Sequence, residues 1–365
     1  MLAIPVPEGR IPAEKLRAYV RQIFESAGSM TREAELVADH LVAANLAGHD
    51  SHGVGMIPRY IAALGEQKLQ LNAHAQVVRD FGAVLTIDGG RGLGQVVAYE
   101  AMEHGIERAR TLGIAAVGLR AAHHIGRIGH WAEQCARAGL ASFHFVNVAG
   151  DVFVAPFGGM DRRFGTNPFC AAFPRAGQPP LVLDFATSGI AFGKTRVAYN
   201  KGVSVGPGNL IDHEGRPTTD PKVMHEPPFG ALVPFGGHKG SGLAVMCEIL
   251  AGAMSGGVTT HARTLATGSG IINDMMSIIV DPRAFDAPDA AAETEAFVAW
   301  VRSARLAPEM APIQLPGEPE QQQRAERAAH GIPIDATTWE QIREAALTAG
   351  MPAAEVERHA SAYGN

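Results

Sequence analysis

The stretch Ile114-Ala115-Ala116-Val117-Gly118-Leu119 leads straight into His123-His124-Ile125-Gly126-Arg127-Ile128-Gly129-His130. A helical pattern from Trp131 to Ala138 follows, and then the strand-like run from Leu140 to Val148. Strand, loop, helix, strand is the rhythm of an α/β protein. Upstream, Val77-Val78-Arg79 and Val84 to Asp88 read as strands. The glycine turn at 89–94 follows, then a helix from about Gln95 to Thr111 that ends at Gly113.

The flanks have a different texture. Leu16, Val20, Ile23 and Phe24 keep a helical period over 13–27, and Gly28 ends that helix. Thr31 is a candidate N-cap for a second helix to about Leu46, with Leu36, Val37, His40, Leu41 and Ala44 on one side. Pro58 to Leu64 reads as a short third helix. Downstream, Leu181 to Phe185 and Ile278 to Pro282 read as strands, and 200–230, rich in Gly and Pro, as loop. Gly236-Gly237-His238-Lys239-Gly240-Ser241-Gly242 opens a helix expected to run through Leu250. Residues 288–306 read as helix, Pro308 to Gln323 as a connector, and the segment with Trp339, Ile342, Ala345 and Ala346 as helix again. The expected division is a mainly helical domain, residues 1–75 with 285–365, and an α/β cofactor-binding domain, residues 76–284.

Chemistry concentrates at His49-Asp50-Ser51-His52-Gly53, where the second helix stops between Gly48 and Gly53. Histidine titrates closest to neutrality, which suits proton transfer, and Asp50 or Ser51 would orient an imidazole by hydrogen bonding. The plainer reading is a helix C-terminus with solvated polar residues and a histidine favoured by the dipole. The second histidine cluster, at 123–130, favours the catalytic one. His49, His52, His123, His124 and Asp184 also offer metal-ligand types, but the spacing lacks a metal-site context, so no metal is expected. Glycines at 236–242 either expose amides to a cofactor phosphate or allow close helix packing, and both readings stand. Gly165-Thr166-Asn167-Pro168-Phe169 is a turn. Rossmann, Walker A and nucleophile-elbow patterns are absent.

Bulk composition narrows the class. A net charge of −6 argues against nucleic acid. Cys135, Cys170 and Cys247 are isolated and read as buried thiols in a reducing compartment. Met1 to Arg10 has two prolines and no basic stretch before an apolar core, unlike a signal peptide. No long apolar run suggests a membrane span. The expected location is the cytoplasm.

Several segments together, in order, resemble the malate/L-lactate dehydrogenase family that lacks a Rossmann fold. They are Gly48 to Val54, His124 to His130, Phe157-Gly158-Gly159 with Gly165 to Pro168, Leu183 to Ser188, Gly193-Lys194, Gly215 to Pro221, and Gly236 to Gly240. The group includes ureidoglycolate, sulfolactate and hydroxycarboxylate dehydrogenases and piperideine-carboxylate reductases, and the hydroxycarboxylate branch is the most similar. The resemblance implies an α/β fold of its own kind: a central mixed sheet with flanking helices and a helical N-/C-terminal domain. It implies NAD- or NADP-dependent interconversion of a 2-hydroxy and a 2-oxo acid by a homodimer whose site takes residues from both subunits. By the same resemblance His52, with Ser51, and His124 are the catalytic candidates. His124 is slightly preferred as the proton-transferring histidine. Cofactor candidates are these two histidines, Gly126, Arg127, Ile128, Asp184, Phe185, Ala186, Thr187, Ser188, His238 and Lys239. Asn273, Leu315, Pro316, Gly317 and Glu318 are further cofactor candidates, and Thr166 matches a substrate-contacting threonine.

One position departs from the pattern. Relatives carry an arginine four residues after the histidine to clamp the substrate carboxylate, and here that residue is Met56. Methionine cannot form the bidentate pair, and it makes the pocket more apolar, as for aromatic 2-oxo acids. Arg59 or Arg127 is left to bind the carboxylate, although Arg59 also reads as a solvated helix charge. Reduction of a cyclic imine such as piperideine-2-carboxylate is the alternative reaction. A binding protein without catalysis and a metal hydrolase are the more distant readings.

Overall fold

The computed structural model of the chain describes residues 10–268 and 270–361. The signal-peptide reading of Met1 to Arg10 falls on residues 1–9, outside the described residues. In chain order the elements are β1 (Arg10–Ile11), α1 (Ala13–Ser26), α2 (Thr31–Leu46), α3 (Ile57–Gly65), β2 (Gln76–Phe81), β3 (Val84–Asp88), α4 (Gly94–Leu112), β4 (Ile114–Ala122), α5 (Gly129–Arg137), β5 (Ala141–Ala149), β6 (Phe169–Arg175) and β7 (Gln178–Phe185). They continue with α6 (Phe192–Lys201), β8 (Leu210–Ile211), β9 (Pro217–Thr218), β10 (Ala231–Leu232), α7 (His238–Cys247), α8 (Ala262–Ala266), β11 (Ile272–Val280), α9 (Ala290–Arg302), α10 (Glu318–His330), β12 (Ile332–Pro333), α11 (Ala336–Thr348) and α12 (Ala353–Ser361).

Seven strands form the central sheet in the order β2-β3-β4-β11-β5-β6-β7. Among the described residues of this sheet only β3 and β4 run parallel, and the other neighbouring pairs are antiparallel. The sheet is therefore mixed, unlike the parallel doubly wound sheet of dinucleotide-binding folds. Inward residues of β4 (Val117, Leu119), β11 (Met275, Ile279) and β3 (Leu85, Ile87) share one hydrophobic cluster with Val97, Ala101 and Met102 of α4 and Trp131 and Cys135 of α5. The three cysteines are free and buried, as expected.

A second cluster joins the two ends of the chain. Leu16, Val20 and Phe24 of α1 pack with Val37 and Leu41 of α2, Ile57 and Tyr60 of α3, and Trp339 and Ile342 of α11. The short pair β1–β12 ties residues 10–11 to 332–333. This is the helical N- and C-terminal part of an α/β fold, as the resemblance implies.

Local expectations failed where tertiary partners intervene. Thr31 is the first helical residue rather than the cap. Met30 holds that place, with its N–H donated to Asn72 Oδ1 at 2.8 Å. Strand β6 and helix α6 were not anticipated. The helix begun at His238 ends at Cys247 and continues as a π-helical segment, Glu248–Ala253. Glu248 is buried there and accepts from Asn167 Nδ2 (2.9 Å), Thr260 N (2.8 Å) and Thr260 Oγ1 (2.9 Å). The supposed connector 308–323 already contains the start of α10. Its proline stands in the first turn, where no amide partner is lost.

Two glycines of α7 separate packing from propensity. A Cβ at Gly240 would meet the Thr187 carbonyl oxygen at 2.7 Å and the Phe235 backbone nitrogen at 2.8 Å, whereas one at Gly242 meets nothing within 4 Å. Gly242→Ala is expected to raise the unfolding free energy by about 0.5–1 kcal/mol through lost chain entropy. Gly240→Ala is expected to lower it by about 1–3 kcal/mol through overpacking. Urea denaturation of both variants checks the pair.

Candidate active site

The first histidine turn is built by the end of α2 and held by α10. After Leu46 the chain makes two short 3₁₀ turns, Asp50–His52 and Val54–Met56. Asn45 anchors both, donating from Nδ2 to Asp50 Oδ1 (2.7 Å) and accepting the Val54 N–H at Oδ1 (2.8 Å). Arg327 of α10 donates to the Asn45 carbonyl (2.6 Å) and to both Asp50 oxygens (2.6 and 3.1 Å). His49 Nε2 lies 3.2 Å from Glu320 of the same helix. Asp50 is thus engaged by Asn45 and Arg327 and does not orient an imidazole. Ser51 packs against Gly193 of α6, where a Cβ would stand 2.6 Å from the serine Cβ. Among the described residues it makes no hydrogen bond to either imidazole of the pair described next.

The second histidine loop leaves β4 and enters α5. Its Ile125 N–H donates to Asn273 Oδ1 of β11 at 3.0 Å, and Asn273 Nδ2 donates to the Asn147 carbonyl at 3.0 Å. Gly126 has φ +74°, and any Cβ there would collide with the His40 ring, so only glycine fits. The loop delivers His124 onto the first turn. His124 Nε2 is 3.3 Å from His52 Nδ1, with ring centroids 5.3 Å apart and planes 19° from parallel. On its far side His124 Nδ1 is 2.6 Å from the Tyr60 hydroxyl, which accepts from Gln95 Nε2 at 2.8 Å. Both His124 nitrogens are therefore used inside the protein, while His52 keeps Nε2 unengaged among the described residues.

Burial is the first cause of the shifted titration of this pair. It pushes His52 down to about 4, helped by the charges of His49 and Arg127. His124 lies well below its ordinary value, through burial and then through His52, His123 and Arg59. Both rings are neutral near pH 7, so each offers one donor and one acceptor nitrogen. Tyr60 and Gln95 were not anticipated. The available signal was a tyrosine on the apolar face of α3 and a glutamine on the buried side of α4, which sequence alone reads as packing.

Arg127 is expected to touch cofactor or a substrate carboxylate, but the structure encloses it. Its side chain is 2% exposed. Nη1 bonds Glu133 at 2.9 Å, and Nε lies 3.3 Å from Asp184 Oδ2. Asp184 also accepts the Gly129 N–H at 2.9 Å, and Glu133 is shared with Arg324 at 2.6 Å. That network withdraws Arg127 from substrate binding. Arg59 remains: half-exposed, paired with Asp151, and close enough for its charge to act on His123 and His124. Met56 is partly buried and packs against the helical core cluster.

The other predicted segments gather at the ends of β6 and β7. Thr187 N and Oγ1 both donate to the Thr166 carbonyl (2.9 and 3.0 Å). The Thr187 carbonyl accepts from Phe235 N at 3.0 Å. Phe185 lies edge-on to Phe235, and Ser188 donates to the Ile190 carbonyl at 2.8 Å. Asn167, rather than Thr166, is the buried member of its turn. The Pro316 carbonyl accepts the Val182 N–H at 3.1 Å, laying 315–318 along β7. His238 and Lys239 stand exposed in the first turn of α7, whose cap residue Gly237 supplies no side-chain bond. Lys239 N and Gly240 N already donate to the Gly236 and Phe235 carbonyls (3.4 and 3.0 Å), so what fits an anionic phosphate here is the helix dipole with the exposed His238 and Lys239 side chains. Packing explains Gly240; the exposed first turn keeps the phosphate reading open. Among the described residues no group of three or more His, Cys, Asp or Glu side chains could hold a metal ion.

The chain matches the malate/L-lactate dehydrogenase family over residues 11–343. It is 56% identical over 344 residues to hydroxycarboxylate dehydrogenase B of Escherichia coli (strain K12), spanning 94% of this chain and 95% of that protein. An E. coli structure provisionally described as a malate/lactate dehydrogenase superposes with a TM-score of 0.95 at 54% identity, covering 98% of this chain and 99% of that one. The chain is also 32% identical over 350 residues to the Delta(1)-pyrroline-2-carboxylate/Delta(1)-piperideine-2-carboxylate reductase of Pseudomonas syringae pv. tomato, spanning 93% and 97% of the two.

The buried histidines set an acid limit on stability. Burial pushes His52 and His123 down to about 4, and His130 and His144 to about 3. In the unfolded chain they take up protons below about pH 6.5, while the folded protein does not. The unfolded state then binds more protons, so stability falls as pH drops from about 6.5 towards 4, by up to about 1.4 kcal/mol per pH unit for each histidine. Asp274, pushed up to about 6 by burial, opposes this over part of the range. Urea midpoints measured from about pH 7 down to about pH 5 are expected to fall continuously.

Proposed function

The chain belongs to the malate/L-lactate dehydrogenase family, and from that premise we propose that it interconverts a 2-hydroxycarboxylate and a 2-oxocarboxylate using NAD or NADP. The observation that carries the reading is the hydrogen-bonded pair of neutral imidazoles, His124 buried and His52 partly exposed, of which His52 alone keeps a nitrogen for substrate. His52 Nε2 bonds the reacting oxygen. In reduction the ring takes up one solvent proton and, as the imidazolium, passes a proton to the nascent alkoxide and returns to neutral; in oxidation the neutral ring takes the hydroxyl proton and releases one to solvent. His124 backs it from behind. The slight preference for His124 as the proton-transferring group therefore passes to His52. A substrate carboxylate beside the pair favours its protonated form, as any nearby opposite charge does. Arg59, paired with Asp151 and acting by its charge on His123 and His124, is the cation we assign to that carboxylate, which would compete with Asp151 for it.

The bound nicotinamide would supply or accept the hydride at substrate C2. On the protein side, the His238 and Lys239 side chains at the N-terminus of α7 would hold the phosphates. Segments 185–188 and 315–318 would border the cofactor, with Thr166 beside the substrate. Gly126, Ile128 and Asn273 shape the loop that carries His124. Arg127 and Asp184 act as the internal support of that loop.

The same reading assigns a homodimer and a cytoplasmic location, and keeps the helical part at 1–75 with 285–365 and the cofactor-binding part at 76–284. Exposed Val245 and Met246 of α7, Ile249 of the π-helical segment and Met254 just after it supply an apolar surface suited to subunit contact. No described helix is long and apolar enough to cross a membrane.

The test is oxidation of NADH and NADPH with pyruvate, oxaloacetate, phenylpyruvate, hydroxyphenylpyruvate and piperideine-2-carboxylate. Turnover of 2-oxo acids, aromatic ones preferred, is expected. Selective imine reduction would replace the proposal with the reductase reading. His52→Ala is expected to lower kcat by about 10²–10⁴-fold while cofactor binding, followed by nicotinamide fluorescence, persists.

A further inference from the structure

The imidazole pair is one end of a longer chain of hydrogen bonds. It runs from Gln95 Nε2 to the Tyr60 hydroxyl (2.8 Å), from Tyr60 to His124 Nδ1 (2.6 Å), and from His124 Nε2 to His52 Nδ1 (3.3 Å). An amide nitrogen donates and does not accept. With Gln95 donating into the phenolic oxygen, the single phenolic proton points to the other neighbour, His124 Nδ1. A neutral imidazole carries one N–H. Accepting at Nδ1 therefore leaves the His124 proton on Nε2, which donates to His52 Nδ1. By the same rule the His52 proton sits on Nε2, the nitrogen with no partner among the described residues.

We propose that Tyr60 and Gln95 are positioning residues that set the tautomers of His124 and His52, so that the resting site presents an Nε2–H donor to a substrate carbonyl oxygen. The identity of that substrate rests on the proposed 2-oxo acid function; the order of the hydrogen bonds does not. Gln95 is 1% exposed and Tyr60 fully enclosed, so no bulk water competes for the order of the chain. Burial also raises the phenol well above its ordinary value, with the Gln95 bond and the Arg59 charge opposing, so Tyr60 keeps its proton. The groups facing His124 are His52, His123, His40 and Arg59, all neutral or positive, and no carboxylate competes for its N–H. The consequence is directional. A site primed with a donor recognises the carbonyl of an oxo acid before the hydroxyl of the corresponding hydroxy acid. The opposite orientation of the Gln95 amide would reverse every bond in the chain.

The experiment is ¹⁵N NMR of the full-length enzyme labelled at histidine, with His52 and His124 assigned through single His→Gln variants. Both rings are expected as Nε2–H tautomers near neutral pH. An Nδ1–H tautomer at His124 overturns the proposal whether or not the enzyme reduces any 2-oxo acid. Nε2–H at both rings upholds the chain order even if every 2-oxo acid proves inert, so the two readings fail separately. Tyr60→Phe removes the phenolic donor. It is expected to shift the His124 signals towards a tautomer mixture and to lower kcat for reduction by about tenfold with KM little changed. Gln95→Glu supplies an acceptor in place of the donor and is expected to move His124 to Nδ1–H. Variants that leave the His124 tautomer as it was would show that Tyr60 and Gln95 only pack.

Discussion

The Arg127 guanidinium sits almost wholly inside the protein between Asp184 and Glu133, and much of the site is arranged around that fact. A buried cation without partners would cost several kcal/mol, and removing one partner of such a group typically costs about 3–5 kcal/mol. The partners come from different places. Asp184 ends β7, Glu133 lies in α5, and Arg324, which shares Glu133, lies in α10. Satisfying one charge thus joins the sheet edge, the helix after the second histidine loop and a helix from the distal part of the chain. The Gly129 N–H, also held by Asp184, fixes the start of α5.

The same helix α10 reaches the first histidine turn. Arg327 holds Asp50 and the end of α2, and Glu320 meets His49. The two histidine-bearing segments are therefore supported from one helix, through Arg324 on one side and Arg327 and Glu320 on the other. This explains how two rings 72 residues apart meet at hydrogen-bond distance. It also explains why the acidic and basic residues around them carry little free chemistry of their own: their capacity is consumed in holding the backbone.

Secondary structure was legible where one face of an element decides its state. The apolar rows of α1, α2 and α4 and the alternation in β4 and β5 announce themselves, because burial repeats with the period of the element. It was illegible where a distant partner decides. Thr31 is a good cap residue in isolation, yet Met30 holds the cap position, its N–H fixed by Asn72. Helix α10 hides in a stretch rich in proline, glutamate and glutamine, and its buried residue is the arginine Arg327, so hydrophobic periodicity gives no sign of it. The turn after Cys247 widens where Glu248 is buried among Asn167 and Thr260.

The sequence by itself determined the α/β alternation, the two histidine clusters at helix boundaries and the ordered set of motifs that marks the family. These depend on residue type and short-range spacing. Tertiary structure alone decided which polar group faces which. Asp50 pairs with Arg327 across 277 residues, Arg127 is enclosed by carboxylates, and His124 is sandwiched between His52 and Tyr60. Hydrogen bonds and ion pairs saturate, so a side chain's role follows from the partner it finds in space. That partner is set by folding, not by neighbours along the chain.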